Sequence, residues 1–198
     1  MSKTEISLYN LRGERKYLNL EERLRFVEAA NDQVAKVRLF CLLLYYTGAR
    51  ITEVHNLVPR GLDHANGSVI IETLKKRRKG IFREIPVPHF LLKDLQFYII
   101  DNQINISNRL WPFSLRTASR KIKAVMTMAN IDGVKSSARG LRHGFAVHAV
   151  TLAPLTLVKK WLGHSRLETT EIYLNVMGNE EREFSRKVWG IEELRATG

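Results

Sequence analysis

The stretch from Val34 to Tyr46 constrains the fold most. It is apolar on nearly every side of a helix, and Gly48 follows it where a left-handed C-cap would stand. A helix without a polar face has to be surrounded, so the rest of the chain must supply a shell around it. With 198 residues the chain can bury such a core without a disulfide or a metal. The run is too short to cross a bilayer.

The shell can be read from periodicity and punctuation. Asn19 caps a helix from Leu20, with Glu21 and Glu22 near its positive end and Leu24, Phe26, Val27 and Ala30 on its apolar side. Thr52–Leu57 reads as a short helix stopped by Pro59. The period then changes: Ser68–Leu74 and Ile81–Val87 read as a hairpin. After Pro88 the pattern is helical, with segments near 89–100, 114–129, 139–152, 155–162, 166–175 and 179–189. The expected fold class is α+β, mainly α, with helices packed around a small antiparallel β-sheet in one domain. Residues 1–18 read as a mobile N-terminal arm, and residues 19–198 as the domain.

Charge narrows the partners. Thirty-two Lys and Arg oppose twenty Asp and Glu, a formal net charge of +12, which attracts polyanions and above all nucleic acid. A membrane surface would call for a basic amphipathic helix or a lipidation signal, and neither is present. The single Cys41 fits a reducing cytosol, and the start of the chain lacks an apolar signal core, so a cytoplasmic location is expected.

Four stretches carry chemistry: Thr47-Gly48-Ala49-Arg50-Ile51-Thr52-Glu53; the basic tip Lys75-Lys76-Arg77-Arg78-Lys79; Arg139-Gly140-Leu141-Arg142-His143-Gly144-Phe145-Ala146; and Leu162-Gly163-His164, followed nine residues later by Tyr173. A phosphodiester repels a nucleophile through its shared negative charge. Two guanidinium groups, permanently charged and able to donate in a fork, answer that problem, and Arg50 and Arg142 are the candidates. His164 can donate to the same phosphate. Taken singly, each feature has a plain alternative: Arg50 as a helix-end arginine, the Lys75–Lys79 run as a solvated loop, Tyr173 as a core tyrosine.

Together, in this order and at this spacing, the four stretches resemble the active-site boxes of the tyrosine recombinase (phage integrase) family, over roughly residues 19–190. The resemblance implies that Tyr173 is a nucleophile forming a 3′-phosphotyrosyl link to DNA, with Arg50, Arg142 and His164 on the phosphate. A phenol with an ordinary pKa of about 10 needs positive neighbours to attack as phenolate, and Arg50, Arg142 and Arg139 would supply them. The resemblance also implies a hairpin lysine as acid for the leaving 5′ oxygen: Lys75, with Lys76 as the alternative.

One position departs from the family. Arg139 stands where a histidine or lysine is usual, and an arginine is not a base in a protein. Its expected role is electrostatic, with the tyrosine proton passing to water or phosphate. His143 is read as structural. His143 and His148 lack a carboxylate or cysteine to complete a metal set, and no Gly-rich phosphate loop is present, so no metal, cofactor or ATP is expected.

The family usually clamps DNA between two domains. Fewer than twenty residues precede the first helix here, so the chain resembles the short members without the N-terminal domain. DNA contacts are expected from Lys76, Arg77 and Arg78 on the hairpin and from Arg116, Arg120, Lys121 and Lys123 on the 114–129 segment, which could equally be a solvated face. The implied partners are double-stranded DNA and a homotetramer on two DNA sites, from a protein monomeric when free, with the 179–189 helix docking on a neighbouring subunit. The alternative function is a DNA-binding regulatory or architectural protein with the same fold and weak or no turnover.

Overall fold

The structure is a computed structural model that describes residues 7–74, 80–174 and 185. The expected C-terminal helix at 179–189 lies outside these residues apart from Ser185, and so does the hairpin tip Lys75–Lys79.

Helix α2, Ala35–Thr47, forms the centre. Val37, Leu39, Phe40, Cys41, Leu42, Leu43 and Leu44 are all buried, on every side of the cylinder. Around it pack α1 (Leu20–Asn31), α3 (Ile51–His55), α4 (His89–Asp101) and α6 (Ala138–Leu152), while α5 (Leu115–Met128) packs on α1 and α3. Asn19 caps α1 in a reciprocal box: its side chain accepts from the Glu22 amide, and the Glu22 carboxylate accepts from the Asn19 amide. Phe26 and Ala30 turn inward as the pattern predicts and Val27 is half-buried, but Leu24 is exposed, and Ala29 is buried in addition.

The sheet has three antiparallel strands in the order β1 (Leu62–Asp63), β2 (Ser68–Glu72), β3 (Phe82–Pro86). The two-residue β1 was not legible from sequence, since it offers no alternation to detect. Val69 pairs with Ile85 and Ile71 with Arg83, and these four side chains share the buried face. Arg83 thus occupies a core-facing position that alternation would reserve for an apolar residue.

A smaller apolar cluster lies beside the main core. It joins Ala146 and Val147 of α6, Val158 and Leu162 of α7 (Leu155–Leu162), Tyr173, and Leu8 and Tyr17 from the N-terminal segment. The described part of the expected arm, residues 7–18, is therefore packed rather than free. Its three buried side chains, Leu8, Tyr17 and Leu18, outweigh the polar residues between them. Arg15 pairs with Glu22 and holds the segment's end against α1, and Lys135, in the turn before α6, pairs with the same carboxylate.

The segment expected as a helix over 166–175 is shorter than predicted. Helix α8 spans only Glu168–Glu171, and Tyr173 sits in the turn that follows, its amide donating to the Thr170 carbonyl.

Gly140 allows α6 to start where it does. A Cβ there would overlap the backbone carbonyl of Lys135, in the turn just before the helix. Gly140→Ala is expected to destabilise the domain by about 1–3 kcal/mol through overpacking against backbone, read as a lower urea midpoint with unchanged slope.

Candidate active site

The site is built on helix ends. Helix α2 stops at Gly48 with φ of 58° and α7 stops at Gly163 with φ of 64°, both left-handed caps. Neither position has room for a side chain: a Cβ would meet the Phe145 ring at Gly48 and the Arg83 guanidinium at Gly163. Both helices therefore end with their last carbonyls pointed at one spot, and Arg142 fills it. Its Nη1 donates to the Gly48 carbonyl at 2.7 Å and its Nη2 to the Leu162 carbonyl at 2.9 Å. Two helix C-termini, each partly negative, thus hold a buried guanidinium in place. Burial, and then the nearby Arg50, pull the Arg142 pKa down to about 10, so the group remains cationic at neutral pH.

Arg50 begins α3. Its backbone amide donates to the Glu53 carboxylate at 2.8 Å, and its Nη1 donates to the same group at 2.8 Å. Glu53 also accepts from Arg83 Nη2 at 2.6 Å. Arg83 in turn donates to the Trp161 carbonyl and the Thr73 hydroxyl, so one side chain ties β3 to β2, α3 and α7. Burial pushes the Glu53 pKa up, but the hydrogen bond and charge of Arg83 and the bond from Arg50 outweigh it, and the net shift is downward.

His164 follows the Gly163 cap. Arg142 Nη2 stands 2.9 Å from its Nε2, and Thr170 Oγ1 stands 3.0 Å from its Nδ1. An arginine only donates, so Nε2 accepts here and the ring proton sits on Nδ1 facing Thr170. Burial, then Arg142 and Arg50, lower the His164 pKa to about 3. The expected donation to phosphate is therefore not the arrangement of the free protein, where Arg142 already occupies Nε2.

Tyr173 is 3% exposed. Its hydroxyl lies 2.9 Å from Nδ1 of His143, on α6. Burial raises the Tyr173 pKa, and Arg142, Arg50 and Arg139 offset this only in part, so the group is a neutral phenol in the free protein. The arginines alone do not supply the expected phenolate. Burial, Arg142, Arg139 and Lys16 pull His143 down to about 4, which leaves its ring uncharged at neutral pH.

Arg50, Arg139, Arg142, His164 and Tyr173 all line one cleft of about 630 Å³, together with His143, Lys16 and Ser7. Arg139 is exposed at its edge. Arg116, Arg120 and Lys123 are exposed on α5 and Lys121 is half-buried, but none lines the cleft. Lys75, Lys76, Arg77 and Arg78 lie outside the described residues. Among the described residues no group of three or more His, Cys, Asp or Glu could hold a metal ion, and no helix is long and apolar enough to cross a membrane.

Sequence reading missed Glu53, Arg83 and Lys16, and took His143 as structural. Arg83 carried a usable signal, a charge in phase with Ile85 and Val87 on one strand face. Lys16 carried none, because its position depends on how the N-terminal segment packs.

Comparison with known proteins matches residues 16–180 to the phage integrase family. The chain belongs to that family. It is 28% identical over 186 residues to the tyrosine recombinase XerA of Pyrococcus furiosus, covering 90% of this chain and 64% of that protein. Among solved structures, a XerA recombinase superposes with a TM-score of 0.73 at 23% identity, covering 86% of this chain and 64% of the other. The XerH recombinase, in a post-cleavage complex with a palindromic difH substrate, superposes with a TM-score of 0.71 at 24% identity, covering 96% and 58%. These likenesses establish a tyrosine recombinase catalytic-domain fold. The chain spans less than two thirds of the length of these relatives.

Removing Glu53 would leave Arg83 buried beside Arg142 without its counter-charge. Glu53→Ala is expected to cost about 3–5 kcal/mol in urea unfolding at neutral pH. Because folding lowers the Glu53 pKa, its contribution is complete above the ordinary carboxylate range and is lost as pH falls through the lowered value. The gap between wild type and Glu53→Ala should therefore narrow in acid, and a gap constant down to the acid transition would contradict this account.

Proposed function

We propose that the protein is a site-specific DNA recombinase, in which Tyr173 attacks a DNA phosphodiester bound in the cleft. The observation that carries this reading is the convergence of Arg50, Arg142, His164 and Tyr173 on one basic cleft in a phage integrase fold. The 630 Å³ volume accommodates a phosphate with its flanking sugars. Arg142 and Arg50 bring two cations to one wall, where they stabilise the extra charge of the crowded transition state. Arg139 adds charge at the rim. His164 gains a free Nε2 once phosphate draws Arg142 away from it, and can then donate to the same oxygen once its ring proton moves from Nδ1 to Nε2.

Attack forms a bond from the Tyr173 hydroxyl oxygen to phosphorus and expels the 5′ oxygen, which takes a proton from Lys75, or from Lys76 in the alternative alignment. The product is a 3′-phosphotyrosyl ester. A 5′ hydroxyl of a partner duplex reverses the chemistry and rejoins the strands, within a homotetramer on two sites. One phosphate ester replaces another, so neither ATP nor a metal is needed to balance the reaction. Binding of double-stranded DNA is expected to weaken steeply with salt, since phosphate contacts from Arg116, Arg120, Lys121, Lys123 and the hairpin residues Lys76, Arg77 and Arg78 would carry it.

A nicked suicide substrate tests the reading. DNA flanking the native gene, incubated in low salt without divalent metal, should yield a covalent protein–DNA band on a denaturing gel. The band should vanish in Tyr173→Phe and form roughly 10²–10³-fold more slowly in Arg142→Ala or Arg50→Ala. Bound DNA with no covalent band would favour the alternative, a regulatory or architectural DNA-binding protein.

A further inference from the structure

Nucleophilic attack by Tyr173 leaves one proton to be placed. Four groups besides His143 surround the phenol, and one of them, Arg50 at the start of α3, is a permanent cation. Arg142 and Arg139 on α6 are cations that do not accept protons, and His164 presents its acceptor nitrogen to Arg142 rather than to the tyrosine. His143 differs from all of them. It lies on α6 next to Arg142, and its Nδ1 stands 2.9 Å from the Tyr173 hydroxyl, within hydrogen-bond reach. The two rings are 5.8 Å apart between centroids, tilted by 48°, so the contact is made by the polar edge of the imidazole.

We propose that His143 is the general base of the strand-cleavage step, taking the phenolic proton of Tyr173 directly on Nδ1. This inference rests on the recombinase reading and deepens it. As the Tyr173 oxygen bonds to phosphorus, its O–H bond breaks and the proton passes to Nδ1, giving an imidazolium. The bond from phosphorus to the 5′ oxygen breaks, and that oxygen leaves with the proton supplied by the hairpin lysine. In rejoining, the imidazolium returns its proton to the departing tyrosine oxygen. The role that Arg139 cannot fill at its own position is thus taken by a residue one helical turn further along α6.

The surroundings of His143 are consistent with this role. Its charged and titratable neighbours are Tyr173 in the turn after α8, Arg142 and Arg139 on its own helix, His164 after α7, and Lys16 from the N-terminal segment. Burial first, and then the cations, keep the ring unprotonated and ready to accept at neutral pH. They also make the imidazolium short-lived, so the proton is easily given back. Arg142, Arg50 and Arg139 do not overcome the burial of Tyr173, which leaves the phenol in need of an acceptor.

The test uses a suicide substrate with sulfur in place of the bridging 5′ oxygen. Sulfur leaves without a proton, so the acid side of the reaction no longer limits the rate and the base side is seen alone. Single-turnover cleavage by wild type should be flat from about pH 6 to 9, because His143 is already neutral there. His143→Ala and His143→Gln should bind the DNA normally but cleave roughly 10²–10⁴-fold more slowly at neutral pH. Their rates should climb close to tenfold per pH unit, as Tyr173 must then ionise unaided. Gln keeps the volume and the hydrogen bond, so a structural role predicts near wild-type rates and a flat profile for it, and that result would overturn the inference. An equal loss at every pH in both variants would overturn it too. Wild-type protein that binds the substrate and never cleaves would sink the recombinase reading together with this one, whereas cleavage with an unaltered His143→Gln profile would sink this one alone.

Discussion

Glu53 is the one carboxylate that allows the cationic wall of the cleft to exist. Its side chain has no solvent exposure; Oε1 accepts from the Arg50 guanidinium, and Oε2 accepts from the Arg83 guanidinium and the Arg50 amide. Arg83 is itself buried and holds a strand, a helix end and a threonine in place. Without the carboxylate, Arg83, Arg50 and Arg142 would stand as like charges with little water to separate them, an arrangement a low-dielectric interior does not tolerate. The acid therefore has two effects. It anchors the sheet to the helices, and it sets the direction in which Arg50 extends into the cleft.

Much of the fold was written in local pattern. The all-round apolar α2, the capping box at Asn19 and the two glycine caps each rest on interactions within a few residues of one another, and such signals survive without tertiary context. The four site motifs were legible for the same reason: Arg50, Arg142 and His164 each follow or face a helix end whose punctuation is visible. What could not be read depends on contacts between distant segments. The packing of residues 7–18 rests on Leu8 and Tyr17 meeting α6 and α7, and the sequence alone does not reveal that surface. The direction of the His143 ring is of the same kind, fixed by where the turn after α8 brings Tyr173. The arginines around Tyr173 act in the expected direction, but counting them leaves out desolvation, which outweighs them in the free protein.

The two histidines of the cleft divide along similar lines. Both are neutral and both touch a group central to the proposed chemistry, but their partners fix opposite uses. His164 is locked by Thr170 on one side and Arg142 on the other, so it reports on whether Arg142 is engaged elsewhere. His143 meets the nucleophile itself. A phosphate entering the cleft would change the first contact by competing for Arg142, and would draw on the second only when the phenol begins to move.

The depth of Tyr173 has a consequence for fidelity. Tyr173 belongs to the apolar cluster that includes Leu8, Tyr17, Val147, Val158 and Leu162, while its hydroxyl meets His143 at the cleft. On the proposed reading, an ester formed on that oxygen would sit beside this buried cluster, where a bulk water molecule would find few lines of approach. A broken strand held in this way would keep its bond energy until another sugar hydroxyl arrived, because spontaneous hydrolysis, which would leave a permanent nick, would have no easy route in. The apolar cluster around the tyrosine would then protect the integrity of the DNA as well as the fold of the protein.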